Sequence, residues 1–180
     1  MSKKLLIYGL AFGSAAAAMS YIYMLYVANS PDIKWHIISV LGEFVVIPFV
    51  AMTLFLRTVK QENAEEFLIG KAIFLGFFLS IIISSSVSLF YSYMAQFNPE
   101  VITQFVDLKM KQFHESKYIG KLNAKEIAEN EQAIRDSYAV SGQFKYQLYL
   151  GAARGLFFSA IIAFFLRAKT KKPWKKFSAK

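Results

Sequence analysis

Between Phe67 and Met94 small side chains recur at every fourth position: Ala72, Gly76, Ser80, Ser84, Ser88 and Ser92. On an α-helix each step of four residues turns the face by only about 40°, so these residues form one slowly drifting strip. The rest of the segment is apolar, from Ile69 through Phe74, Phe77, Phe78, Ile81, Ile82 and Ile83 to Leu89 and Phe90. Such a helix has no polar face to offer water, and lipid is its natural surroundings. In lipid, helices gain little by hiding Leu. They associate where small residues admit a neighbouring backbone and hydroxyls bond across. The strip is therefore predicted to be the surface on which the other spans dock.

Composition agrees. Hydrophobic residues make up 56% of the chain and charged residues only 18%, against about 25% in soluble domains, which places it among membrane proteins. The absence of cysteine excludes disulfides, thiolate catalysis and thiolate metal sites. A net charge of +9 would suit a nucleic-acid binder were it spread over a polar surface. Instead Lys169, Lys171, Lys172, Lys175, Lys176 and Lys180 crowd the C-terminus beside an apolar run. Basic residues in that position mark the cytoplasmic side and attract anionic lipid head groups, so no nucleic-acid partner is expected.

Along the chain, the first span is predicted at 5–27, a run of 23 residues where about 20 suffice to cross a bilayer. Lys3 and Lys4 ahead of it, with Ala15 to Ala18 within it, also resemble a secretory signal. The run continues too far past those alanines, through Tyr21 to Tyr26, for cleavage to be the preferred reading. Gly9, Gly13 and Ala17 give this span its own small-residue stripe, expected to meet the ladder of the third. Asn29 to Asp32 break the pattern, and the second span is predicted at 37–56. Trp35, Tyr23 and Tyr26 form an interfacial aromatic belt at that end. Pro48 lies inside the second span and predicts a kink, with the Phe44 carbonyl losing its helical partner. The third span covers 67–94. Asn98, Pro99 and Glu100 then signal a new helix start. Asn123 with Glu126 three positions on is a capping-box pair that opens a further helix. The insert 95–145 is read as an extramembrane helical hairpin, a solvated cap over the bundle. A last span at 146–166 repeats the four-residue spacing with Gly151, Gly155, Ser159 and Ala163. The fold class is thus an all-α, integral membrane four-helix bundle in one membrane domain, with a basic tail at 167–180.

Four crossings put both termini on one side. Lys3, Lys4, Arg57, Lys60, Arg167 and the tail lysines fall there, with Lys71 just beyond, whereas the first connection has only Lys34. Both termini are accordingly expected in the cytoplasm.

The start of the third span at Gly70, Lys71, Ala72 and Gly76 is followed by an aromatic exit, Phe90, Tyr91, Ser92 and Tyr93. Together with the step Phe97, Asn98, Pro99, Glu100, Val101, this resembles the bacterial family known as domain of unknown function 4199 (DUF4199). The resemblance implies a small four-span membrane protein of Bacteroidota with a charged helical insert between spans three and four, in the bacterial cell (inner) membrane. It implies no activity and no site residues.

Two charges fall inside the lipid zone. Glu43 lies seven residues beyond His36 and Arg154 seven beyond Gln147. At 1.5 Å per residue both are about 10 Å deep on different helices, which makes them a candidate intramembrane ion pair. As a clasp the pair would fix the packing of spans two and four; as a site it would handle a proton or ion. A lone pair without further ionisable groups makes a poor relay, which favours the clasp. Ser84, Ser85, Ser86 and Ser88 lack an activating base nearby, and His36 and His114 have no metal-site spacing. No catalytic, cofactor-binding or metal-binding residue is expected. The chain is read as a non-enzymatic structural or accessory membrane subunit, with a membrane-protein partner or a second copy as its company. The alternative is a small transporter or channel component using Glu43 and Arg154.

Overall fold

In lipid every backbone N–H and C=O must be satisfied inside the chain, so uninterrupted apolar runs become helices. The computed structural model describes residues 2–29, 38, 41–62 and 68–168, and every regular element among them is helical. Helix α1 is Ser2–Asn29. Helix α2, described over Gly42–Glu62, contains a π-helical turn, Gly42–Val46, and continues as an α-helix over Ile47–Glu62. Helix α3 is Ile69–Phe97. The insert follows as α4, Pro99–His114, a 3-10 turn, Ile119–Lys121, and α5, Ala124–Tyr138. Helix α6, Val140–Ala168, closes the bundle. The helices α1, α2, α3 and α6 are long and apolar enough to cross a membrane, so an all-α bundle with a helical insert stands as expected.

Helix boundaries differ from the hydropathy pattern where polar residues prolong a helix. Helix α6 begins at Val140 rather than 146, with the Gln143 amide already bonded to the Ala139 carbonyl at 2.9 Å. Hydropathy registers what lipid tolerates, whereas the helix runs on until its amides lack partners. Asn98 precedes α4 as anticipated, with Pro99 in the first turn, but its side chain makes no capping bond. At Asn123 the capping box is complete in both directions, 2.9 and 2.8 Å. Trp35, His36 and the lysines from Lys169 onward lie outside the described residues.

One end of the bundle carries two polar ties. Lys4 pairs with Glu62, and Lys60 donates to the Leu166 carbonyl. The start of α1 and the ends of α2 and α6 therefore meet, as an up-and-down bundle requires. The insert covers the opposite end.

The packing is inverted relative to a soluble protein. Ser80, Ser84 and Ser159 are fully buried and Ser88 nearly so, whereas Leu10, Phe74, Leu89, Phe157, Phe164 and Phe165 face outward. An outward layer of Phe and Leu this extensive would be untenable in water and is ordinary against lipid tails. The ladder of α3 does receive a neighbour, and that neighbour is α6. A side chain on Gly76 would run into Ser159, one on Gly151 into Ser84, and one on Gly155 would sit 2.8 Å from the Phe77 Cα. Ala72 is buried in the same core, whereas Ser92, at the outer end, is only half-buried. Helix α1 docks elsewhere. Gly9 abuts Ile82 and Gly13 abuts Ser86 and Ile83, one stripe around α3 from the ladder. This corrects the expectation that the two small-residue stripes meet: α6 already occupies the ladder, so α1 takes the adjoining face.

The insert is seated on the bundle rather than suspended above it. Phe105 of α4 is buried against Tyr23 of α1 at 5.6 Å and Tyr138 of α5 at 5.3 Å between ring centres. The Tyr91 hydroxyl of α3 donates to the Tyr138 carbonyl at 2.5 Å. Helix α5 itself buries no residue and is the solvated part of the cap.

Candidate functional site

The membrane-depth chemistry begins with a proline. Pro48 has no amide hydrogen, so one carbonyl in the turn before it must lose its helical partner. Because that turn is π-helical, with the Ile47 amide bonded to the Gly42 carbonyl, the missing rung is the one to Glu43. The expectation from an α-helical rung, that Phe44 is the orphan, is thus displaced by one residue. Arg154 fills the gap: its Nη1 donates to the Glu43 carbonyl at 3.4 Å, and its Nη2 to the Ser84 hydroxyl at 2.6 Å. The Arg154 guanidinium also lies 5.6 Å from the centre of the Phe44 ring.

Glu43 and Arg154 therefore come together, as their equal depth implied, but not through a direct contact of carboxylate and guanidinium. The Glu43 carboxylate takes a hydrogen bond from the Gln147 amide, at 3.3 Å, and is also faced by the Ser20 hydroxyl. Glu43, Gln147 and Arg154 are 6%, 4% and 7% exposed, so this cluster is buried among the helices. Gln147, about two turns before Arg154 on α6, served the sequence reading only as a depth marker and was not singled out as a site residue. Its position seven residues ahead of a buried arginine on one helix face was the available signal.

The ladder hydroxyls are mostly spent on packing. Ser88 and Ser92 bond back to the carbonyls of Ser84 and Ser88, and Ser159 crosses to the Ile73 carbonyl at 3.2 Å as well as bonding its own Gly155 carbonyl. None is paired with a base that could activate it, and among the described residues no group of His, Asp and Glu could hold a metal.

Toward the insert, the cluster borders a cavity of about 510 Å³. Its floor is Glu43 and Gln147, its walls come from α1, α3 and α6, and its roof is Phe105 and Lys109 of α4 with Tyr138 of α5. Of the polar atoms lining it, the Gln147 side-chain carbonyl lacks a protein partner, and the Ser20 hydroxyl has only the Glu43 carboxylate to face. Burial under the insert pulls the Lys109 ammonium below its ordinary range and pushes the Tyr138 phenol above its own, the latter helped by Tyr146.

Comparison with known proteins adds a family and nothing chemical. The model of a family described as "Protein of unknown function (DUF4199)" matches residues 7–168. No curated protein and no solved structure matches the chain.

Proposed function

The chain belongs to the DUF4199 family, whose description carries no activity, and we propose on geometry alone that it is a non-enzymatic structural or accessory subunit of a bacterial cell membrane. Both termini are assigned to the cytoplasm and the insert to the outer face. The observation that supports this reading is how Arg154 is used. Its hydrogen bonds go to a carbonyl orphaned by Pro48 and to a ladder serine, so it ties α6 to α2 and α3 at the one place where the backbone needs a donor. A buried arginine occupied in this way serves packing before it serves transport. The bundle's company is a membrane-protein partner or a second copy, and its basic tail suits anionic lipid.

Replacing both charges tests the reading. The double variant Glu43→Gln with Arg154→Gln retains groups that hydrogen-bond across the same gap. Cells carrying it should match wild type in protein abundance and in the phenotype that deletion produces. A stable, abundant, correctly inserted double variant that behaves like the deletion would overturn the structural role. A second reading, a small transporter or channel component, draws its support from the cavity that reaches Glu43.

A further inference from the structure

We propose that the cavity between the bundle and its insert is a binding site for a small amphipathic organic amine, with its ammonium group at Glu43 and Gln147 and its apolar body among the aromatic rings above. Nothing in the clasp requires this. The proposal stands on what lines the cavity.

A cavity of about 510 Å³ is within the range of about 300–1,000 Å³ typical of small-molecule sites. Its floor is built of acceptors whose capacity is not met by protein. A carboxylate offers about four lone-pair sites, and that of Glu43 is met by the Gln147 amide and faced by the Ser20 hydroxyl, which leaves acceptor capacity over. The Gln147 carbonyl oxygen receives none, and the Ser20 hydroxyl, on the wall beside them, has no neighbour of its own but the carboxylate. All three residues are more than nine-tenths buried. Unmet acceptors held that far from solvent are costly unless a donor arrives, and an ammonium brings three donors and the complementary charge. Arg154 does not line the cavity, and its Nη1 and Nη2 are bonded to the Glu43 backbone and Ser84, so no guanidinium hydrogen bond fills the carboxylate's acceptor sites. Above the floor stand rings of Phe44, Phe90 and Tyr91, whose faces favour a cation and stack a planar or branched apolar body. Among the described residues that line the cavity Lys109 is the one cation, and it opposes an amine. This gives the proposal a sign that can be checked.

The experiment uses the full chain in lipid nanodiscs and three probes sharing one ring system: tryptamine, tryptophol and indolepropionate, which are cationic, neutral and anionic. Titration calorimetry should show tryptamine binding at about one site per chain and at least about tenfold more tightly than the other two, the value of one charge-assisted hydrogen bond. Glu43→Gln should erase that preference, and Lys109→Met should tighten tryptamine binding by removing a like charge. If Glu43→Gln fails to fold, Ser20→Leu serves in its place. It keeps the carboxylate and fills the space beside it, and it should abolish binding. Equal affinity for the three probes in the unaltered protein, meaning partition into lipid only, overturns the proposal. So does a preference for indolepropionate, or tryptamine binding that survives in a folded Ser20→Leu protein.

Discussion

At the scale of single residues the molecule turns on what Pro48 leaves undone. A lost amide in water is repaired by solvent; in lipid it must be repaired by a side chain, and Arg154 is that side chain. The consequence is specific. If Arg154 were chiefly the partner of the Glu43 carboxylate, exchanging the two as Glu43→Arg with Arg154→Glu would restore stability. Because its bond is to the Glu43 carbonyl and Ser84, a glutamate at 154 has no donor to give, and the exchange should recover nothing. Arg154→Leu should cost about 1–2 kcal/mol, two intramembrane hydrogen bonds at roughly 0.6–1 kcal/mol each, and Arg154→Gln clearly less. Unfolding in mixed micelles measures all three, and a rescue by the exchange would reinstate the direct ion pair. The depth of Glu43 and Arg154 could be read from residue spacing, since rise per residue is fixed. The identity of the orphaned carbonyl could not, because an α and a π turn place it one residue apart and only geometry distinguishes them.

At the scale of helices, contact is decided by which small residues face which neighbour. Gly155 lies against the Phe77 backbone, so Gly155→Leu should force α6 off α3 and cost about 1–3 kcal/mol or more, the ordinary penalty of overpacking. Leu89→Ile, on the outward face of the same α3, should be silent to within about 0.5 kcal/mol. Equal tolerance at both positions in a thermal-unfolding assay would mean that the ladder faces lipid. Periodicity revealed that ladder because every fourth residue of a helix shares a face. It did not reveal the partner of each stripe, since Gly9 and Gly13 fit any small-residue surface and only the competition with α6 directs them to Ile82 and Ser86. The insert has its own test. Lys109 is half-buried, and burial lowers its affinity for protons below the ordinary 10.5, so docking α4 releases a proton in the window beneath that value. The penalty is full at low pH and fades as pH rises toward 10.5. Tyr138, raised above its ordinary 10.0, acts with the opposite sign only above that pH. Amide exchange in α4 should therefore indicate tighter docking at pH 9.5 than at pH 7 once intrinsic rates are divided out. Lys109→Met should flatten that slope and tighten docking at neutral pH. An unchanged slope in the variant would remove Lys109 from the account.

At the scale of the whole molecule, the four apolar helices were legible from hydropathy because lipid leaves the backbone no alternative to helix. The seating of the insert was not, because Phe105 finds its partners on α1 and α5, and no periodicity within α4 names a distant ring. The ties Lys4 to Glu62 and Lys60 to Leu166 place the ends of α1, α2 and α6 together, and the insert is at the other end. The proposed orientation draws its support from charge. Lys3, Lys4, Arg57, Lys60 and Arg167 cluster at the first end, and basic residues flanking spans are retained in the cytoplasm. Gly120, in the loop between α4 and α5, has open space around it and accepts an inserted reporter without disturbing a packed surface. A reporter that is active only outside the cytoplasm should be active when inserted at Gly120 and silent when fused after Lys180. The reverse pattern would invert the orientation while leaving the bundle intact. Activity at both sites would mean that one of the four helices does not cross, and α2 is the helix to suspect. It carries the π turn and a buried carboxylate. A helix that stops at the interface with those residues in water would also need no arginine at its orphaned carbonyl. Arg154→Leu would then be harmless, so the reporter and the stability of that variant must fail together or hold together.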